Sequence, residues 1–365
     1  MRALFVVPSL QKHDAVGNDV LFQASVLREQ GIEVGIYADT FDPTLNQNML
    51  DRSNAVKWLN DKATQLIFHH CFLWEQAEYF IGSAARSAIV RFHNSTPPRF
   101  FSPYNYAMAK TAQRAQIQTE TLMSHDNVGG VWAASQFNKS DALAAGARAE
   151  TISVLAPYTN LAEFDSTVLD DSTASRIKPE ITNILFVGSL VPNKNHIGLL
   201  KVLAAYKQHF SQNVVLHIVG KRDPFLGLYV DHLKHLIVQN GLTNNVLFWE
   251  NASFSILHTL YAKCSVFLCM SEHEGFGVPV LEAQAHGLPV VVLERCALTP
   301  DDVLGYKQLS FRATNLMQLA TAIKEVVNNE ALKKELVNYA AKNVERFTPD
   351  VLKEQIQALT TDLAK

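Results

Sequence analysis

Apolar positions along the chain follow two alternating periods. Short runs rich in Val, Ile, Leu and Phe give way to longer stretches whose apolar residues recur at helical spacing, and this order repeats. RALFVVP reads as a first strand, VLFQASVLREQG as a helix closed by Gly31 in the C-cap region, and EVGIYA as a second strand. TQLIFHH and SAIVRFHN continue the series, and GGVWAAS followed by QFNKSDALAAG adds a strand and a helix ending at Gly146. Strands separated by helices encode a parallel sheet with crossover connections, so the N-terminal half is predicted to be doubly wound.

The stretch FDSTVLDDSTASRIKPE is polar and rich in Ser, Thr and Asp, and reads as an exposed linker. Beyond it the alternation resumes with NILFVGS, HIGLLKVLAAYKQHF, VVLHIVG, LYVDHLKHLIVQNG, NVLFWE, ILHTLYAKC, SVFLCMS, VPVLEAQAHG and LPVVVL, a second sheet of the same kind. Thr348 and Pro349 suit the N-cap and first position of a closing helix. A chain of 365 residues exceeds what one core usually supports. The predicted organisation is an N-terminal domain over 1–165, a C-terminal domain over 166–345 and a last helix over 346–365, with a cleft between the domains.

Composition narrows the function. Hydrophobic residues at 48% and charged residues at 18% suit a folded, soluble protein. A formal charge of -3 with dispersed lysines and arginines argues against a nucleic-acid partner. The start MRALFVVPSLQKHD lacks the features of a secretion signal, and apolar runs such as NVVLHIVG fall well short of the roughly 20 residues that span a bilayer. Cys71, Cys264, Cys269 and Cys296 show no CxxC spacing and read as buried thiols of a reducing compartment. A cytoplasmic protein is expected, with peripheral contact at the inner face of a membrane left open. His69 and His70 do not suggest a metal site, because neighbours on a strand point to opposite faces and no third ligand has suitable spacing.

The densest chemistry lies in SEHEGFGVPVLEAQAHG, from Ser271 to Gly287. SVFLCMS before it reads as a buried strand, and open parallel sheets bind ligands at the carboxyl ends of their strands. Glu272, Glu274 and the loop Gly275-Phe276-Gly277 stand at that end. Glycines let the backbone approach a phosphate, and a helix beginning near Pro279 aims free N–H groups at it, so an anion is expected. Glu282, eight residues after Glu274, offers a double acceptor to sugar or ribose hydroxyls. Carboxylates beside a phosphate cradle imply a nucleotide-sugar.

EGFGVPVLE closely resembles the donor site of retaining GT-B glycosyltransferases of family 4. ILFVGSLVPNKN is similar to the family's phosphate-binding segment, and VRFHNSTPPRFF and WAASQFNKSDALAAG are similar to acceptor-domain segments of bacterial members that build surface polysaccharides. The resemblance implies two Rossmann-like domains facing each other across a cleft, with the last helix returning to the first domain. It implies that Glu274 contacts the transferred sugar, Glu282 the ribose hydroxyls, and the backbone of Gly275, Phe276 and Gly277 the sugar and diphosphate. Lys194 matches a lysine that neutralises the leaving diphosphate. His93 matches a histidine facing the reacting sugar, and Gly17 a glycine close to the donor phosphates. One departure stands out: where the family carries arginine, five residues before the lysine, this chain has Ser189. Lys221 or Arg222 in IVGKRDP is the expected substitute.

Each of these residues also has a plainer reading. Lys194 fits an exposed turn lysine, His93 a structural histidine at a strand end and Gly17 a turn glycine. Asp14 and Asp19 fit surface-loop aspartates, and Phe100, Phe101, Tyr104 and Tyr106 fit either an acceptor surface or packing under a loop. The expected reaction moves a hexose from GDP- or UDP-sugar to a hydroxyl of a glycan or lipid-linked glycan, with no metal or further cofactor. An epimerase or phosphorylase on the same fold, or a non-catalytic nucleotide-sugar-binding partner of another transferase, are the alternatives.

Overall fold

The computed structural model describes residues 1–12, 14–305, 309–312 and 315–361, so the final residues 362–365 of the expected closing segment lie outside the described residues. The chain divides into two compact units. One comprises Met1–Pro98, Lys110–Thr159 and the segment from Phe347 onward; the other comprises Arg99–Ala109 and Asn160–Arg346.

The first unit is built on β1 (Arg2–Leu10), β2 (Glu33–Phe41), β3 (Thr64–His70), β4 (Ala88–Phe92), β5 (Val128–Ala133) and β6 (Ile152–Val154). The second is built on β7 (Thr182–Val187), β8 (Val214–Val219), β9 (Val246–Trp249), β10 (Val266–Cys269), β11 (Val290–Leu293) and β12 (Ser310–Phe311). Helices α1 (Ala15–Glu29), α2 (Arg52–Leu59), α3 (Ala77–Ser83), α4 (Tyr106–Met123) and α5 (Gln136–Ala144) separate the early strands. They are followed by α6 (Ala162–Asp165), α7 (Asp171–Arg176), α8 (His196–His209), α9 (Gly227–Gln239), α10 (Phe254–Lys263) and α11 (Val278–Ala285). The chain finishes with α12 (Leu316–Asn328), α13 (Glu330–Val344) and α14 (Pro349–Thr360).

Both sheets are parallel, in the orders β2-β1-β3-β4-β5-β6 and β12-β11-β10-β7-β8-β9. In the first, the chain leaves β1 for β2 on one side and returns to β3 on the other. In the second it leaves β7 for β8 and returns to β10. Each sheet therefore has a topological switch point, between β1 and β3 and between β7 and β10, where a crevice opens beyond the strand ends.

Burial on both faces explains the apolar strand runs. In β1 the alternate residues Leu4 and Val6 join one buried cluster with Phe68, Phe80, Val90 and Phe92, while Phe5 and Val7 join another with Leu27 and Ile67. The second cluster also contains Leu352 and Ile356 of α14, which lies against α1. Thr348 caps α14 by accepting from Val351 N–H, Lys353 pairs with Glu29 and Thr360 bonds Gln30.

Polar pairing ties the first unit's core together. Arg91 of β4 is fully buried; its Nε donates to Asp19 Oδ2 at 2.7 Å and its Nη1 to the carbonyls of Leu155 at 2.6 Å and Trp132 at 3.3 Å. Asp19 also accepts from Gln23 Nε2 at 2.8 Å and Tyr158 N–H at 3.1 Å. Asp19 is thus a buried residue of α1 and not the surface-loop aspartate its sequence position suggested. Helix α1 begins at Ala15 because Asp14 caps it, accepting from Gly17 N–H at 2.6 Å. Gly17 consequently lies in the first helical turn, not in the preceding loop.

The polar stretch expected to be an exposed linker is partly helical. Asp170 caps α7 by accepting from Thr173 N–H, and Phe164, Thr173 and Ile177 are buried. The Ser, Thr and Asp content that suggested a linker is also what helix N-caps use. Segment Arg99–Ala109 packs within the second unit through the Tyr104 ring, edge-on to Tyr229 at 4.9 Å, and through Asn105 Nδ2 donating to Phe225 O at 2.8 Å. Phe100 is buried there, whereas Tyr106 is 70% exposed. Among the described residues no helix is long and apolar enough to cross a membrane.

Asp19→Ala strands a buried guanidinium and is expected to lower unfolding free energy by about 3–5 kcal/mol in urea titrations. Thr348→Ala, which removes only a cap, should cost about 1 kcal/mol.

Candidate functional site

The switch point of the second sheet is where sequence-predicted residues converge. After β7 the chain passes Gly188 and Ser189 and forms a 3-10 turn over Pro192–Lys194. Asn195 then takes a left-handed conformation and caps α8. After β10 comes the loop Glu272–Gly277. Three contacts stitch the two loops: Glu272 N–H donates to Asn193 O at 2.8 Å, Asn193 Nδ2 donates to His273 O at 3.1 Å, and Lys194 Nζ donates to both carboxylate oxygens of Glu274 at 2.6 Å. The Lys194 and Glu274 side chains are 18% and 13% exposed, so their pairing is only partly screened by water.

Gly277 caps α11 with φ of +101°, and a Cβ there would come within 2.8 Å of Leu298 Cδ2. Conformation and space both select glycine. Phe276 is buried, which leaves backbone as the part of Gly275-Phe276-Gly277 able to meet a ligand. Glu274 N–H donates to Cys296 Sγ at 3.0 Å, and Cys296 itself takes a positive φ of 48°. Sequence spacing gave no sign of this cysteine's role. All four cysteines are free; Cys264 and Cys269 are buried, while Cys71 and Cys296 are half-buried.

Glu282 accepts from the Tyr261 hydroxyl at 2.7 Å. Burial pushes its carboxyl up to about 7, against which the tyrosine's hydrogen bond works in the opposite sense. Tyr261 on α10 was not a sequence candidate, and nothing local links it to Glu282. Ser189 is exposed. Beside it, Leu190 N–H donates to Lys221 O at 2.9 Å and Leu190 pairs with Arg222, so the two candidate substitutes for the arginine border Ser189's loop. Arg222 and Lys221 are both exposed to solvent, and Arg222 is engaged by Glu250 at 2.5 Å.

The first unit holds His93 and Gly17. A Cβ on Gly17 would come within 1.9 Å of Gln11 O, so backbone crowding alone requires glycine. His93 follows β4 directly, and its Nε2 lies 3.0 Å from His69 Nδ1 and 3.8 Å from Asp19 Oδ2. Burial lowers His93 to about 3 and holds His69 well below the usual imidazole range, with Arg91's charge acting in the same direction. Both rings are neutral at pH 7. His70 points away, bonded to Thr119 Oγ1 at 2.8 Å, as alternation on a strand requires.

Ligand atoms of Asp19, His69 and His93 all lie within 4.8 Å of one another. This corrects the expectation that His69 lacks further potential ligands: they come from α1 and the end of β4, distant in sequence. The neighbouring Arg91 guanidinium, already on Asp19, opposes a cation there.

The model of the glycosyl transferases group 1 family matches residues 170–343. Residues 170–343, just under half of the chain, are thus similar to this family. WbdA, a serotype-specific mannosyltransferase of Escherichia coli, is 34% identical over 113 residues, 30% of this chain and 13% of that protein. RfbU, an O-antigen chain mannosyltransferase of Salmonella typhimurium, is 32% identical over 108 residues, 30% of this chain and 28% of its own length. The chain thus spans less than a third of either relative. HepE of Anabaena, solved in complex with UDP and glucose, is similar with a TM-score of 0.74 at 18% identity, covering 99% of this chain and 100% of that one. WaaG, a glycosyltransferase involved in lipopolysaccharide biosynthesis, gives 0.68 at 15% identity over 98% and 99%. The fold is therefore GT-B. The matched span contains Ser189, Lys194, Lys221, Arg222, Glu274 and Glu282.

Glu282 has a consequence for stability. Its folded carboxyl holds a proton up to about pH 7, while the unfolded one loses it near 4.5. The native state is favoured at low pH, and this contribution is lost as pH rises through that window. Melting temperatures of the wild type should fall relative to Glu282→Gln between about pH 5 and pH 7.

Proposed function

We propose that the protein is a retaining glycosyltransferase. It moves a hexose from a nucleoside diphosphate sugar to a hydroxyl of a glycan or lipid-linked glycan, in the assembly of a surface polysaccharide. The observation that carries this is the Lys194–Glu274 ion pair at the switch point of the second sheet, beside the glycine-capped start of α11. The mannosyltransferase names of WbdA and RfbU, and the UDP and glucose bound by HepE, support a nucleotide-hexose donor.

The roles follow from charge. A diphosphate entering the crevice meets Lys194 and the positive N-terminal end of α11. Lys194 turns from Glu274 to the phosphate, which frees the Glu274 carboxylate to accept from sugar hydroxyls. Glu282 accepts from the ribose hydroxyls. As the glycosidic bond breaks, Lys194 and the helix dipole stabilise charge on the leaving oxygen. That phosphate takes the proton of the attacking hydroxyl from the same face, which retains configuration. Lys221 supplies the second positive charge that Ser189 does not, and this charge is carried by the protein without a metal ion.

A second reading rests on Ser189: a chain lacking that fixed charge binds the donor without turning it over. Calorimetry and thermal-shift measurements with UDP, GDP, ADP and their hexose conjugates separate the two. One nucleotide family should raise the melting temperature, and Glu282→Ala should abolish the response. Lys194→Ala should weaken nucleoside diphosphate binding by about 1.5–3 kcal/mol, the usual worth of a hydrogen bond to a charged group. Lys221→Ala should weaken it less, and Ser189→Arg should strengthen it. Slow hydrolysis of the bound sugar, unchanged by EDTA, supports the enzyme; binding with no hydrolysis and no transfer supports the alternative. Absence of any nucleotide binding defeats both.

A further inference from the structure

The buried histidine pair in the first unit leaves one ring nitrogen without a partner. His69 is fully buried on β3, its Nδ1 is 3.0 Å from His93 Nε2, and its own Nε2 is buried without a hydrogen-bond partner. Only one proton can lie between the two rings, and its position fixes the tautomer of both. If His93 donated, His69 would carry its proton on Nε2, as a buried N–H with no acceptor. If His69 donates, the unpartnered atom is a bare lone pair. Orphaned buried N–H groups are the rarer and costlier case. Asp19 Oδ2 at 3.8 Å from His93 Nε2 is beyond hydrogen-bond range and already accepts from Arg91 at 2.7 Å, so it does not reverse this choice.

We infer that His69 is a positioning residue: by donating from Nδ1 to His93 Nε2 it holds the His93 proton on Nδ1. At the carboxyl end of β4 His93 then acts as a neutral hydrogen-bond donor toward an oxygen-bearing ligand. A ring with the opposite tautomer would present a lone pair and repel the same oxygen. The inference rests on the glycosyl-transfer reading only for its kinetic part.

The charged groups that face the pair are Asp19 from α1 and Arg91 on β4, while His70, turned to the other face of β3, acts on His93 only at longer range. Arg91 and Asp19 are held to each other, so the His93 ring stays neutral through the physiological range.

Long-range proton–nitrogen correlation spectra of the full chain with 15N-labelled histidine decide the tautomer directly. His93→Gln assigns the His93 signals by their loss. The expected result is His69 and His93 both protonated on Nδ1 and unchanged from pH 5.5 to about 8. Protonation of His93 on Nε2, or loss of both signals to a stoichiometric metal when zinc chloride is added, overturns the inference. His69→Phe keeps the ring volume without the donor, and should give His93 exchange-averaged tautomers; His69→Asn, whose amide can donate, should restore a single one. With GDP-mannose or UDP-glucose hydrolysis as the assay, His69→Phe should lower kcat about tenfold with little change in donor KM, and Asn should recover most of it. An unaltered kcat in a folded His69→Phe overturns the functional part. Failure of the wild type to bind or hydrolyse either sugar counts against the transfer reading and leaves the spectra to judge the tautomer.

Discussion

A parallel strand covered on both faces has room for polar side chains only at its ends, and that constraint organises this protein. In β1, β3, β7 and β10 apolar side chains fill both sides of the sheet, so groups able to bind or react collect in the loops after the strands. The strand orders then select which loops matter. At the β7–β10 switch point no crossover helix closes the gap between the two loops, and Lys194 and Glu274 meet there. The loops are held by one backbone hydrogen bond and one from the Asn193 side chain in addition to the ion pair, so the charged groups are placed by the chain path.

The first unit departs from that rule where β3 and β4 pair His69 with Arg91, both fully buried. Arg91 lies inside the sheet and not at its end, and its charge is accommodated because Asp19 and two carbonyls surround it. A buried pair of this kind contributes little net stability compared with apolar side chains of the same volume. Its effect is on geometry: α1, β4 and the chain beyond β6 are fixed relative to one another, and with them the aspartate beside His93.

Legibility of these features in the sequence followed their locality. The alternation of strand and helix was readable because periods of two and 3.6 differ over any window of a few turns. In the second unit, the candidate residues that local reading could gather are Glu274, Gly277 and Glu282, which share one loop and helix, and Lys194, which lies in the loop after β7. Tyr261 and Cys296 were not, since each reaches its partner from another element with no spacing rule. The same holds for Asp19, His69, Arg91 and His93, whose contacts join α1, β3 and β4. Gly17 illustrates a different limit: the glycine was visible, but its reason, the nearby Gln11 carbonyl, belongs to the path of the loop. Strand β12 has two residues and left no period to detect.

Under the proposed function, the Lys194–Glu274 contact makes donor binding an exchange of anions rather than a capture. Any phosphate that approaches Lys194 must displace a carboxylate already making two hydrogen bonds, so it gains only the difference between two similar interactions. A small free anion gains little from such a swap. A ligand that also gives Glu274 new hydrogen-bond donors, as a sugar does, compensates the carboxylate it evicts. Under the proposed function the site would discriminate by bifunctionality, favouring molecules that carry an anion and hydroxyls together over molecules that carry either alone.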